Sequence, residues 1–301
     1  MLDRRELLKG VAGGLLAGLA LPRRAAAQQG LNDRLSLLAS GGTNVLALTG
    51  ADGLVLVDSG APNLTDALMA SVRQIASGTR VRAVFNTHYH LEHTGGNEAL
   101  RQGGAAIVAH ENTRLWMATP VWNPAEDRYR PARPKAAHPT ETFRGEGSMT
   151  AGRERIDYGY LIEAHTSGDI YVFFRDSNVL AVGDVASPVR DPELDYFTGA
   201  WVGGRADGMN RLLALCDAGT RIVPGYGPVM SRADLQAERD MMKKIYDRAD
   251  ERVRQGDDAG DMLDAGVMNE LGRVWKDPKK FLDDVQKGLW AHHNKLNPNV
   301  V

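Results

Sequence analysis

The stretch Val81-Arg82-Ala83-Val84-Phe85-Asn86-Thr87-His88-Tyr89-His90-Leu91-Glu92-His93-Thr94-Gly95-Gly96-Asn97 decides how this chain reads. Its first five residues have the length and apolar, β-branched character of a buried strand. Three histidines then fall within six residues, with Glu92 among them. Neutral imidazole is the commonest protein ligand for zinc and related metals, so the run points to a metal site. Thr94-Gly95-Gly96-Asn97 reads as a turn into a short helix over 98–101. The cluster therefore sits in the loop at the C-terminal end of a strand, where α/β sheets place their chemistry. His88 and His90 are two residues apart in an extended loop, so both rings can turn to the same side.

The cluster is not alone. His88-x-His90-x-Glu92-His93 resembles the His-x-His-x-Asp-His signature of the metallo-β-lactamase fold hydrolases, a superfamily that includes glyoxalase II-like and β-lactamase-like members. Val57-Asp58-Ser59-Gly60 is similar to the family's early Val-Asp-Thr-Gly turn. Ala164-His165-Thr166-Ser167-Gly168-Asp169 resembles its later His-Thr-x-Gly-Asp segment, and Val182-Gly183-Asp184 its bridging Gly-Asp. Pro224-Gly225-Tyr226-Gly227-Pro228 resembles Pro-Gly-His-Gly-Pro, with Tyr226 where the family has its last histidine. The matches follow the family order over residues 44–230. The resemblance implies an α/β fold, the αβ/βα four-layer sandwich, with the metal at its edge and loops from both halves feeding it.

By the same resemblance, His88, His90 and His165 form a first, three-imidazole set. Three nitrogens with an open fourth position describe a catalytic zinc, which lowers the pKa of bound water to around 7 and polarises a carbonyl. The second set departs from the family. His93 and the bridging Asp184 are present, but Glu92 stands at the aspartate position and Tyr226 at the histidine position. The longer arm of Glu92 moves its carboxylate by roughly 1.5 Å, about one bond length. A phenol, with a pKa near 10, ligates only if the metal strips its proton. The expectation is one tight zinc and a weaker second ion. Glu92 then serves either as a ligand or as a general base, and Tyr226 either as a ligand or as a hydrogen-bond donor to an oxyanion.

The implied activity is that of a metal-dependent hydrolase, in which metal-bound hydroxide attacks an ester, thioester, lactone or lactam carbonyl. Two other readings stay open. One is an oxidoreductase with non-haem iron, of the sulfur dioxygenase kind, on His88, His165 and Asp184. The other is a protein that binds a metal or small ligand without turnover, its second metal site degenerate.

Residues 1–27 have the form of a twin-arginine export signal. Arg4 and Arg5 precede Leu7-Leu8-Lys9, an apolar segment covers 10–21, and Ala25-Ala26-Ala27 offers a cleavage site. The apolar segment is shorter than the roughly 20 residues a spanning helix needs. This predicts export by the twin-arginine translocase, cleavage after Ala27, a periplasmic location and no stable membrane insertion afterwards. The whole chain carries a net charge of −2, and the signal removes more basic than acidic residues. The remainder is acidic, which argues for a small-molecule substrate and against a nucleic-acid partner. Cys216 is the one cysteine, so no internal disulfide forms, and its leucine neighbours suggest a buried structural thiol.

The folded part divides into a sandwich domain over 28–230 and a helical extension over 231–301 packed on it. Further strands are expected over 44–48, 54–57, 105–108, 160–163, 170–174, 179–182 and 221–223. Helices are expected over 64–76, 112–117, 209–217, 233–255, 261–271 and 278–292. The proline-rich segment 119–139 reads as a loop, a candidate wall over the substrate. His292 and His293 point apart on a helix and read as solvated, while His110 and His138 read as structural or exposed.

Overall fold

The computed structural model describes residues 28–123 and 128–296. The export signal expected over 1–27 lies outside the described residues. The first half of the chain builds β1 (Gln28–Gly30), β2 (Leu35–Ser40), β3 (Thr43–Gly50), β4 (Gly53–Val57), β5 (Val81–Phe85) and β6 (Ala106–His110). A short hairpin follows, β7 (Val121–Asn123) with β8 (Arg128–Arg130), and then β9 (Glu141–Phe143). Seven of these form one sheet in the order β1-β2-β3-β4-β5-β6-β9. Strands β4, β5, β6 and β9 run parallel. Parallel neighbours need crossovers. Helix α1 (Thr65–Ile75) supplies the first, and α2 (Leu91–Thr94) with α3 (Asn97–Gln102) the second. Helix α4 (Glu111–Ala118) follows β6.

The second half builds β10 (Glu146–Ala151), β11 (Glu154–Tyr160), β12 (Ile170–Phe174), β13 (Val179–Gly183) and β14 (Arg221–Pro224) into a five-stranded sheet in sequence order. Only β13 and β14 are parallel in it, joined by α5 (Val202–Leu215). The chain ends in α6 (Arg232–Gln255), α7 (Ala259–Asp264) and α8 (Pro278–Leu296).

Three apolar clusters define the layers. Leu46, Leu48, Val55 and Phe85 of the first sheet meet Ile170, Val172, Phe174 and Val179 of the second. The outer face of the first sheet, with Leu54, Leu56 and Val84, packs on Leu68 and Val72 of α1 and Leu100 of α3. The outer face of the second, with Tyr171, Phe173 and Leu180, packs on α5, α6 and α8 through Met209, Leu212, Met242, Ile245 and Leu282. Successive residues of a strand point to opposite faces. A strand covered on both faces is therefore apolar throughout, which is why Ile-Tyr-Val-Phe-Phe and Val-Leu-Ala-Val-Gly were legible as strands. The result is the expected αβ/βα sandwich with helices on both outer faces.

The departures have local causes. β2 and β10 lie where the sequence predicts no strand, and β11 runs where only its last residue is expected to be strand. β10 is Glu-Gly-Ser-Met-Thr-Ala, half exposed and too polar to read as a core strand. The strand expected over 160–163 ends at Tyr160, and Glu163 takes a left-handed φ of 48°. Helix α5 starts at Val202, earlier than expected, because Gly203, Gly204 and Gly208 disguise its first turns. Those glycines permit close approach: a Cβ on Gly204 would lie 2.3 Å from the carbonyl oxygen of Glu163. The helix expected over 261–271 stops at Asp264, just before Gly266 at φ 78°.

The segment 119–139 holds the β7–β8 hairpin rather than loop alone, and Arg133 donates to Thr94 Oγ1 at 3.1 Å. His292 is not solvated but stacks on Trp201 at 3.6 Å between ring centroids, and His293 Nε2 lies 2.9 Å from Asp250. His110 caps α4, accepting from the Asn112 amide, and stacks on Tyr160. His138 lies 2.9 Å from the Arg133 carbonyl. Cys216 is a free, half-buried thiol. Among the described residues no helix is long and apolar enough to cross a membrane.

Candidate metal centre

One edge of the sandwich collects the ends of strands from both sheets. On the first sheet, Asp58 follows β4, and His88 and His90 lie in the loop after β5. His93 sits one turn further on, in α2. On the second sheet, β12 runs antiparallel to β13, so the start of β12 and the end of β13 share an edge. His165 precedes the first and Asp184 follows the second.

The structure brings the predicted ligands together in two overlapping sets. His88, His90 and His165 form one, and His88, His93 and Asp184 the other, with the ligand atoms of each set within 4.8 Å of one another. The rings of the first set are nearly equidistant, with centroids 4.7–4.9 Å apart. His88, His93 and His165 are fully buried and Asp184 nearly so. His88 Nε2, His93 Nε2, both ring nitrogens of His165 and Asp184 Oδ1 have no hydrogen-bond partner in the protein. Buried polar atoms are seldom left so. Nitrogens that converge without partners fit a cation, so the residues present suit the metal that the fold implies.

The rings of His88, His90 and His93 are each oriented by their other nitrogen, the arrangement expected of metal-ligating histidines. Asp58 Oδ2 lies 2.7 Å from His93 Nδ1 and also accepts from Thr87 Oγ1 at 2.8 Å. Its Oδ1 accepts from the Thr87 amide at 2.8 Å. Having given its proton to Asp58, the Thr87 hydroxyl accepts from His88 Nδ1 at 3.0 Å, which frees His88 Nε2 as the ligand atom. Asp195 Oδ2 accepts from the Tyr89 hydroxyl at 2.6 Å and faces His90 Nε2 at 3.4 Å, leaving Nδ1 for the cluster. The His165 backbone is fixed by Asp169, whose Oδ2 accepts from the amides of His165 and Thr166, both at 2.6 Å.

The electrostatics follow this geometry. Burial, then the neighbouring imidazoles, hold His88 well below the usual histidine range, so its ring stays neutral, as a metal ligand must be. Burial also pushes His90 down, but the hydrogen bond and charge of Asp195, aided by Glu193 and Glu92, raise it to about 9. Burial opposes ionisation of Asp184, yet His93, His88 and His165 hold it well below the carboxylate range.

Glu92 joins neither ligand set among the described residues, and the ring of Tyr226 stands 5.5 Å from that of His93, centroid to centroid. Glu92 is half-buried on α2, close enough for its charge to bear on Tyr226 and His90. Burial raises the Tyr226 phenol above its ordinary value, so it keeps its proton. Gly225, beside it, is pressed by the site: a Cβ there would lie 1.9 Å from Asp184 Oδ1 and 2.7 Å from His93 Cε1. Arg190 was not foreseen. Its guanidinium pairs with Asp184 Oδ2 and lies 3.4 Å from the centroid of the Tyr226 ring.

A four-layer sandwich with buried imidazoles and a carboxylate at its edge defines a metal-binding hydrolase fold. Residues 39–245 match the metallo-beta-lactamase superfamily, and the chain belongs to it. A metallo-beta-lactamase type 2 from Bacillus cereus is 27% identical over 202 residues, which is 67% of this chain and 73% of that protein. Among solved structures, a metallo-beta-lactamase from Pontibacter korlensis superposes with a TM-score of 0.60 at 18% identity, over 72% of this chain and 99% of that one. An inverting sec-alkylsulfatase from a Pseudomonas species gives 0.65 at 15% identity, over 91% of this chain and 52% of that one. At such identities the two structures show the shared fold alone.

Proposed function

We propose that this chain is a periplasmic, zinc-dependent hydrolase acting on the carbonyl of an ester, thioester, lactone or lactam. The observation that supports it most is the three-imidazole set, two of its rings fully buried with unpartnered nitrogens, beside the ionised carboxylate of Asp184. His88, His90 and His165 would hold the zinc, which would supply Lewis acidity and lower the pKa of a water to around 7. Asp184 Oδ1, 3.2 Å from His93 Nε2, would be the acceptor that orients the attacking water. Tyr226, kept protonated by burial, suits a donor to the oxyanion that develops on attack better than it suits a ligand. Glu92, half-buried nearby, is the reserve base. The names of the Bacillus relatives keep lactams among the substrates to be tried.

The test is the metal content of the purified protein together with a panel of esters, thioesters, lactones and β-lactams, each with and without chelator. Zinc in the protein, and turnover of at least one class that chelation removes and zinc restores, is the expected result. Iron as the resident metal would overturn the zinc assignment, and failure across the whole panel would overturn the hydrolase.

Export is a separate proposal and has its own test. Replacing Arg4 and Arg5 together by Lys is expected to leave the precursor in the cytoplasm. Periplasmic protein at undiminished level in a strain lacking the twin-arginine translocase would rule that route out.

A further inference from the structure

We propose that Arg190 takes over the electrostatic role of a second metal ion, as a fixed cation seated on Asp184 and laid over the ring of Tyr226. The inference rests on the reading of His88, His90 and His165 as a metal centre and concerns what stands beside it. Three observations meet at one place. The guanidinium pairs with Asp184 Oδ2, so one oxygen of the bridging carboxylate already has a cation. Its plane of contact is the Tyr226 ring, 3.4 Å from guanidinium carbon to centroid, where the family carries an imidazole ligand. Glu92, at the position of another family ligand, belongs to no ligand set among the described residues. A second ion would find His93 Nε2 and Asp184 Oδ1, 3.2 Å apart, with a guanidinium already on the same carboxylate. With His88 given to the first set, the two ligands left beside a like charge make a poor site where a structural zinc takes four.

The seat of Arg190 is built, not incidental. Its carbonyl accepts from Arg273 at 2.6 Å, and Arg273 also donates to the Ser187 carbonyl at 3.2 Å. The Ser187 amide donates to Glu238 at 2.7 Å. Asp191 accepts from the amides of Lys276 and Asp277 at 2.9 and 2.8 Å. Val189 packs so closely on the turn after Tyr226 that a Cβ on Gly227 would lie 2.7 Å from it. The loop that delivers the guanidinium is thus fastened from α6 and from the segment before α8. Arginine suits the seat as lysine does not, because a planar guanidinium stacks on a ring while donating in its plane to a carboxylate.

The test is titration of the metal-free full chain with zinc by calorimetry, in wild type, Arg190→Ala and Arg190→Lys. Wild type is expected to take one tight equivalent. Arg190→Ala is expected to keep that equivalent and to bind a second at least tenfold more tightly than wild type does, with Arg190→Lys between them. Two equal, tight equivalents in wild type, or a second-ion affinity that Arg190→Ala leaves unchanged, would overturn the proposal. Should the variants fail to fold, wild type with two equivalents of cobalt(II) decides by electron paramagnetic resonance. Uncoupled spins are expected, and an exchange-coupled pair would overturn the role of Arg190. Absence of any tight zinc in wild type would defeat the metal centre and this inference together, whereas the other adverse outcomes leave the metal centre standing.

Discussion

His165→Ala is expected to lose most of its bound zinc and nearly all turnover of whichever substrate the panel yields. His165 is fully buried, and both its ring nitrogens lack a partner in the protein. It is also the one histidine of the first set that comes from the second sheet. Loss of a group that merely orients a ligand costs about 10–100-fold in metal affinity or activity. Loss of the ligand itself should exceed that range. His138→Ala is the matched control, since that ring lies 2.9 Å from the Arg133 carbonyl and belongs to neither ligand set among the described residues. Metal analysis and kcat/KM on the two variants check this, and equal zinc in both would remove His165 from the centre.

The largest effect on stability is expected at Arg205. It is fully buried, donating to the carbonyls of Glu193 at 2.8 Å and Asp184 at 2.7 Å and to Ser187 Oγ at 2.8 Å. Glu238, also buried, lies 3.8 Å away and is the nearest balancing charge. Burial pushes the arginine down and the glutamate up, and Arg205 is the chief group that favours ionised Glu238 against its burial. Removing one member of a buried pair leaves an uncompensated charge and costs about 3–5 kcal/mol. Arg205→Met should lower unfolding free energy by about that amount. The double variant Arg205→Met, Glu238→Gln should lose less than the sum of its parts, because no lone charge remains. Denaturant unfolding of the four proteins measures the coupling, and strict additivity would show that the pair does not interact.

How much of this was legible beforehand depends on whether a residue acts through its neighbours in sequence or across the fold. His88, His90 and His93 announce themselves by spacing, and His165 and Asp184 by the short patterns around them. The strands buried on both faces were legible as apolar runs, whereas β10 was not, since half its residues face water. Asp58 stood in a recognised turn, but its function is to hold His93, a residue 35 positions away. Asp195 and Arg190 carried no local signal at all. Both lie in the loop between β13 and α5, and only the folding of that loop over the sheet edge brings them to His90 and Asp184. Tyr226 was noticed as a departure, and its reason appears only with the guanidinium that covers it.

The candidate ligands of the centre are split between the two sheets, His88, His90 and His93 on one and His165 and Asp184 on the other. An ion held by both sides is therefore a cross-link. It closes a long stretch of chain into a loop, as a disulfide would, in a protein whose single cysteine rules one out. Its binding free energy adds to the docking of the sheets, by about 4 kcal/mol when free metal stands at 1,000 times Kd. The same nitrogens thus serve two ledgers, catalysis at the edge and cohesion of the halves, and stripping the ion would loosen the seam as well as silence the chemistry.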